Sequence, residues 1–328
     1  MAILILFANL AHAQLTELYA FQYDPSTISN YPSGENPQAE LIQGADGNFY
    51  TTTQAGGAGA CPGGVQGLIA GCGAIVKITA SGALIVAFSF PYDSKTNTAP
   101  DGLNPQAGLL QGPDGNFYGV APAGGTQGFN NCISGTGVLG CGTVFKITPR
   151  GVFTTLHSFC GPNGCGSLAT DGSAPIGRLT IGPNGSYYGT TQSGGLSQGT
   201  FNAGTVFAAS STGAYQVLHI FTGNAGSGDG ANPAAGLTLA SDGNFYGTTE
   251  FGGSSGFGTI FRMTQAGVVS IMQSFAQFDL NGAQPRAALV EGSDGSLYGT
   301  CYAGGLNNWV RYSAFRRREC STSFMTSR

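Results

Sequence analysis

The stretch Gly112-Pro113-Asp114-Gly115-Asn116-Phe117-Tyr118-Gly119, with Gly124-Gly125 behind it, is written five times in this chain. The other copies are Asp46-Gly47-Asn48-Phe49-Tyr50 with Gly56-Gly57, Asn184-Gly185-Ser186-Tyr187-Tyr188 with Gly194-Gly195, Asp242-Gly243-Asn244-Phe245-Tyr246 with Gly252-Gly253, and Asp294-Gly295-Ser296-Leu297-Tyr298 with Gly304-Gly305. In Pro113-Asp114-Gly115, proline presets φ at the second turn position, Asp tolerates the third, and Gly takes the positive φ that follows, giving a tight hairpin. The turn accounts for the Asp, and Asn184 fills the same place in the third copy.

Working outward from the hairpin, the second copy shows four short strands: 107–111, 116–121, 142–147 and 152–159, with another turn at Pro149-Arg150-Gly151. Successive Asp-Gly or Asn-Gly turns lie 68, 70, 58 and 52 residues apart, and the surplus falls in the loops after strands two and four. A four-stranded unit of roughly fifty residues with a double glycine predicts a propeller blade. A β-solenoid is the alternative, although its coils are usually shorter. Leu15 to Phe21 matches the fourth strand of the other units (84–90, 152–159, 215–221 and 269–275), yet stands before the first of them. The expected fold is therefore an all-β propeller of five four-stranded blades, the last completed by the N-terminal strand so that no edge stays open. The repeats run over 36–90, 105–159, 175–221, 233–275 and 285–309, within one domain spanning 14–309.

Composition agrees with many short strands and tight turns: 56 glycines among 328 residues, 9% charged and 11% aromatic. That aromatic content excludes a disordered Gly-rich chain, and no three-residue glycine period marks collagen. Arg311, Arg316, Arg317, Arg318 and Arg328 offset much of the acidity; between residues 14 and 310, fifteen acids face seven bases. Such a body is a poor phosphate binder, which argues against nucleic acid and anionic membranes as partners. Ile3-Leu4-Ile5-Leu6-Phe7 through Ala11-His12-Ala13 reads as a secretory signal cleaved before Gln14; it lacks a basic start, which leaves a buried N-terminal strand as the alternative. No other apolar run approaches the ~20 residues of a membrane span.

Export suits the cysteines. Cys61 with Cys72, and Cys132 with Cys141, fall in loops of fifteen and sixteen residues between the glycine pair and the third strand, against eight and four in the next two units. They read as local disulfides, with Cys160 and Cys165 as a third. A zinc site would need Cys-x-x-Cys spacing or a His partner, and neither is present.

The fifth unit departs from the pattern after Asn308. Where others have Gly-Thr-Val-Phe, it has Trp309-Val310-Arg311-Tyr312-Ser313-Ala314-Phe315-Arg316. The codons TGG GGT ACG GTA TTC CGC CTT TCG encode Trp-Gly-Thr-Val-Phe-Arg-Leu-Ser, and deleting one G yields the residues found here. The tail 310–328 thus reads as the product of a single-base deletion, with a native basic tail as the alternative; the genomic DNA decides between them.

At the repeated Asp-Gly-Asn-Phe-Tyr-Gly-Thr-Thr, Gly-Gly, Gly-Thr-Val-Phe pattern, best kept in Asp242 to Phe261, the chain resembles the GloVer tandem repeats of bacterial exported proteins, over residues 36 to 309. The resemblance implies a secreted or surface-attached, propeller-like array without an established catalytic activity. Such proteins carry C-terminal anchoring signals, and the present tail shows none.

In a four-stranded meander, the loop after strand two and the crossover after strand four leave from one face, so the variable segments and the cysteines share a candidate binding surface. The crossovers repeat Asp101-Gly102-Leu103-Asn104-Pro105, Asp171-Gly172-Ser173-Ala174-Pro175 and Asp229-Gly230-Ala231-Asn232-Pro233, with Asp279 near the looser copy Asn281-Gly282-Ala283-Gln284-Pro285. A ring of carboxylates can hold a cation or polar ligand; equally, each Asp can cap its own turn before the proline. Phe129, Phe201 and Phe257 in the loops after strand two are candidates to stack on sugars. Beyond residue 13 the only histidines are His157 and His219, both at one position of strand four, and they read as core or edge residues. His-Glu-x-x-His, Gly-x-Ser-x-Gly and Cys-His patterns are all missing, so no catalytic residue, metal or cofactor is assigned. Two functions follow: a binding or structural module for an extracellular polysaccharide or protein, or a carbohydrate-active enzyme using a carboxylate pair from different blades.

Overall fold

The structure, a computed structural model, describes residues 17–21, 34–58, 61, 71–96, 98–125, 140–159, 171–195, 203–223, 228–277, 282–304 and 311–315. Every regular element among them is a strand. Four units form antiparallel four-stranded sheets in chain order. They comprise Ile42–Gln43, Phe49–Thr53, Ala74–Ile78 and Leu84–Ser89; Leu110–Gln111, Phe117–Ala121, Thr143–Ile147 and Phe153–Ser158; Thr180–Ile181, Tyr187–Thr191, Thr205–Ala209 and Tyr215–Ile220; and Thr238–Leu239, Phe245–Thr249, Thr259–Met263 and Val269–Ser274. In the fifth, Val290–Glu291 pairs with Leu297–Ala303, which pairs in turn with Arg311–Phe315.

The repeated hairpin joins the first two strands of each sheet. Gly115 N–H donates to Gly112 C=O (3.0 Å) to close the turn. Asp114 Oδ1 then accepts from Asn116 N–H at 3.1 Å, while Oδ2 accepts from the Tyr118 hydroxyl at 2.6 Å. Asp46, Asp242 and Asp294 take the hydroxyls of Tyr50, Tyr246 and Tyr298 in the same way. The carboxylate thus holds both the turn and a ring that leaves the unit. Tyr50 packs on Phe117 with centroids 4.1 Å apart, Tyr118 on Tyr187 at 3.8 Å, and Tyr188 on Phe245 at 4.2 Å. In each Phe-Tyr pair, the second ring reaches the following unit and the first receives the preceding one.

A second contact repeats at every junction between described units. Asn104, Ala174, Asn232 and Gln284, all at positive φ, donate their N–H groups to the carbonyls of Cys72, Cys141, Ala203 and Phe257 of the preceding unit at 2.8–2.9 Å. The proline that follows lies against the glycine that opens the preceding unit's third strand. A Cβ on Gly73, Gly142, Gly204 or Gly258 would stand 2.6–2.8 Å from the ring of Pro105, Pro175, Pro233 or Pro285. These glycines also sit at φ +93 to +101°, which side chains disfavour. The Gly of Gly-Thr-Val-Phe is therefore required twice over, by its own backbone and by its neighbour's proline.

The units curve around the side where their first strands lie. Glu40, just before the first strand of unit one, makes an ion pair at 2.8 Å with Arg178 in the same place of unit three, reaching past unit two. The intervening position is Gly108, where a Cβ would meet the Glu40 side chain at 2.7 Å.

At the N-terminus, Tyr19 and Phe21 repeat the edge-to-face geometry of fourth-strand pairs: 5.2 Å and 80°, against 5.2 Å and 87° for Phe88 with Phe90. A Cβ on Gly82 would meet Leu18 C=O, as one on Gly151, Gly213 or Gly267 would meet the carbonyls of Ala87, Leu156 and Leu218 in the fourth strand before it. Residues 17–21 thus stand beside unit one as a preceding fourth strand would. Among the described residues, however, 17–21 join no ladder, and no closed sheet is seen there. The sheet of unit five continues beyond residue 309. Cys301 faces Arg311 and Leu297 faces Phe315, the register in which Thr249 faces Thr259 and Phe245 faces Met263. Residues 311–313 therefore occupy the places that Thr259, Ile260 and Phe261 take in unit four.

Two stability predictions follow from these contacts. Gly204→Ala meets both the φ restriction and the ring of Pro233, whereas Gly185→Ala, at φ +77° with nothing within 4 Å of the added carbon, meets only the first. Urea denaturation should show Gly185→Ala costing on the order of 1 kcal/mol and Gly204→Ala clearly more. Separately, burial opposes ionisation of Asp46 and Asp114, yet hydrogen bonds from Lys77, Tyr50 and Asn48, and from Tyr118 and Asn116, pull both carboxyls below their ordinary values. Hydrogen bonds from Ser296 do the same to Asp294. Folded-state values depressed in this way stabilise the protein above the unfolded carboxyl pKa of about 4 and cease to do so as pH falls through the folded value. Melting temperature should thus drop steadily below about pH 4, and less steeply in Asp114→Asn.

Candidate ligand-binding face

The loops after second strands and the crossovers lie at one end of each sheet, packed glycine on glycine: Gly56 on Gly34, Gly124 on Gly102, Gly194 on Gly172, Gly252 on Gly230 and Gly304 on Gly282. The crossover acids stand against fourth strands. Asp101 Oδ1 accepts from Thr155 Oγ1 at 3.0 Å; Asp171 Oδ2 lies 3.0 Å from His157 Nε2; Asp229 Oδ2 lies 2.6 Å from His219 Nε2. Asp229 Oδ1 also accepts from the Thr222 N–H and hydroxyl at 2.8 and 2.9 Å. Burial disfavours the Asp229 anion, but His219 and Thr222 outweigh it and lower the pKa. The imidazole of His157 stacks on Tyr215 at 3.6 Å, and Tyr215 in turn donates to the Asp171 backbone carbonyl at 2.6 Å. Each acid is thus tied to its own strand-four partner. The two histidines, read from sequence as edge or core groups, prove to be the partners of these acids.

Of the remaining sequence candidates, Asp279, Phe129, Phe201, Cys132, Cys160 and Cys165 lie outside the described residues. Cys61 and Cys72 are joined as a disulfide with Cα atoms 5.1 Å apart, and Cys141 is also disulfide-bonded. No group of three or more His, Cys, Asp or Glu capable of holding a metal ion occurs among the described residues.

Phe257 lines an open pocket of about 440 Å³ at the junction of units four and five, with Gln277, Ala283, Gln284, Tyr302, Ala303 and Gly304. Tyr302 is more than half exposed. The Arg286 guanidinium lies 4.0 Å from the Tyr302 ring centroid, and its Nη2 is 2.5 Å from Oε1 of the buried Glu250. The ion pair anchors the arginine, and the cation over the ring fixes the orientation of Tyr302. Two aromatic residues and two glutamines therefore line one concavity. That combination offers apolar faces for C–H groups and amide donors and acceptors for hydroxyls.

Sequence reading missed Tyr302, Gln277, Gln284, Glu250 and Arg286. The available signal was departure from the repeat: Tyr302 stands where other units have Gln54, Pro122, Gln192 and Glu250, and Arg286 follows a crossover proline that Gln38, Gln106, Ile176 and Ala234 follow elsewhere.

A tandem array of four-stranded antiparallel sheets, locked by repeated contacts and open at one loop face, is a scaffold built from repeats. The chain belongs to the Gloeobacter/Verrucomicrobia repeat family, whose pattern matches residues 63–312. No curated protein matches it. Among solved structures, a protein of unknown function from Dyadobacter fermentans DSM 18053 is similar, with 12% identity, a TM-score of 0.50, and coverage of 91% of this chain and 84% of that one. A PQQ-bound aldose sugar dehydrogenase from Streptomyces coelicolor is 12% identical over 90% of this chain and 82% of that one, with a TM-score of 0.47. A gluconolactonase from Xanthomonas campestris is 13% identical over 79% and 67%, with a TM-score of 0.42. At these identities the first likeness concerns the fold alone, and the weaker two carry no functional argument.

The Asp229 contacts give a further prediction. His219→Ala should cost roughly 1–3 kcal/mol at neutral pH, because it leaves a half-buried carboxylate with Thr222 alone, and the loss should shrink on acidification. Chemical denaturation at neutral and acidic pH measures both.

Proposed function

We propose that this chain is an exported, propeller-type binding module that takes a polyhydroxylated ligand, such as a segment of extracellular polysaccharide, on its loop face. The pocket between units four and five carries the reading. Phe257 and Tyr302 supply rings, Gln277 and Gln284 supply amides, and the Arg286–Glu250 pair stiffens one wall. Export is supported by the Cys61–Cys72 disulfide, which persists in oxidising compartments, and by membership of the repeat family.

The competing reading is a carbohydrate-active enzyme. Glycoside hydrolysis in its common form uses two carboxyl groups roughly 5–10 Å apart, one of them free to give up or take a proton. Glu250 beside this pocket is buried and engaged by Arg286. That arrangement favours holding a ligand over cleaving one.

A glycan array, followed by affinity measurement and product analysis, tests the proposal. Binding without cleavage is expected. Phe257→Ala and Tyr302→Ala should each weaken it at least about tenfold, since a ring stacked on an aromatic is worth ~1–3 kcal/mol, with melting temperature nearly unchanged in Tyr302→Ala, whose ring is more than half exposed. Release of products, abolished by a single carboxylate change, would establish the enzyme reading in its place.

A further inference from the structure

At each internal junction, the leucine just before the first strand and the first residue of the Phe-Tyr pair or its equivalent lie against the preceding unit, and both are covered. Leu109, Leu179, Leu237 and Leu289 are 0–4% exposed, and Phe117, Tyr187, Phe245 and Leu297 are 0–2% exposed. Their forward-facing counterparts, Tyr50, Tyr118, Tyr188 and Tyr246, are also buried. The two ends of the array break the pattern. Leu41, the backward leucine of unit one, is 53% exposed, and Phe49 is only half-buried. Tyr298, the forward ring of unit five, is 44% exposed, and Val290 is 65% exposed where Thr238 of unit four hydrogen-bonds the Leu289 carbonyl of unit five. The first and fifth described units thus each present an apolar face, of the kind that the other type covers at four internal junctions.

We infer that a second copy of this chain docks head to tail on these faces, with Tyr298 and Val290 of one copy covering Phe49 and Leu41 of the next. Continuity with the internal junctions fixes the partner and its orientation. The same docking gives residues 17–21 a role. They stand beside unit one as a preceding unit's fourth strand would, and the fifth unit shows only three strands of its meander among the described residues. In this docking the segment of one copy stands beside its neighbour's fifth unit, as it stands beside unit one in its own chain. The contact is heterologous, so it propagates from copy to copy instead of closing as a two-fold dimer.

Light scattering coupled to gel filtration across a concentration series tests this with the chain as it stands. Mass should rise with concentration for the wild type, whereas Leu41→Asp and Tyr298→Asp should each remain monomeric with unchanged circular dichroism. Mixing the two variants is the decisive arm: each keeps one intact face, so the mixture should form a 1:1 dimer and nothing larger. If an aspartate variant fails to fold, Leu41→Cys mixed with Val290→Cys under mild oxidation should give a covalent heterodimer. A wild type that stays monomeric throughout, or variants that mix without associating, overturns the inference and assigns the faces to closure within one chain or to a different partner.

Discussion

The contact on which the architecture depends is small: a crossover residue at positive φ donates one N–H to the preceding unit, and the proline after it lies against that unit's glycine. A backbone hydrogen bond contributes about 1 kcal/mol net. A ring pair adds roughly 0.5–1.5 kcal/mol beyond the area it buries. Neither is strong, but the clasp fixes where one sheet stands relative to the next. Once it is made, Tyr50 meets Phe117 and Tyr118 meets Tyr187 without further adjustment. Stability in such an array is close to a sum of unit and junction contributions.

Much of this was legible in the sequence because it is local. Asp-Gly turns, alternating strands and the glycine pair each act within a few residues, and five copies make the pattern hard to miss. The acid–histidine pairs were not legible: His157 and Asp171 are 14 residues apart, His219 and Asp229 are 10 apart, and loops of differing length intervene. An Asp before a glycine already has a sufficient local explanation in its turn, which hides its second role. The Glu40–Arg178 pair needs the curvature of three units and has no local sign at all. Closure of the fifth sheet by the N-terminal segment was expected from strand counting, which gives the number of strands a unit needs but not where the chain ends meet.

Scaffold and pocket divide along the same line. Residues that recur hold the sheets, and the pocket uses residues that occur once. Tyr302 and Arg286 replace unremarkable residues of other units, and Glu250 is buried where Gln54, Pro122 and Gln192 are half-exposed. Periodicity is therefore a poor guide to binding here, and its violations are a better one. Arg311–Phe315 carries a related lesson. Register places Ser313 where Phe145, Phe207 and Phe261 stand in complete units, yet the ladder to Leu297–Ala303 still forms. The neighbouring strand and its hydrogen bonds template a strand even where the side chains depart from the pattern.

Because the clasp, a residue at positive φ followed by proline, has the same geometry at each junction, it does not tie a unit to its place in the order. An in-frame duplication or loss of one unit by recombination between repeats would bring together a proline and a glycine that already fit. Genes of this kind can therefore lengthen or shorten by whole units without passing through a misfolded intermediate. The pocket, built from residues that occur once, is the part that such an exchange would erase.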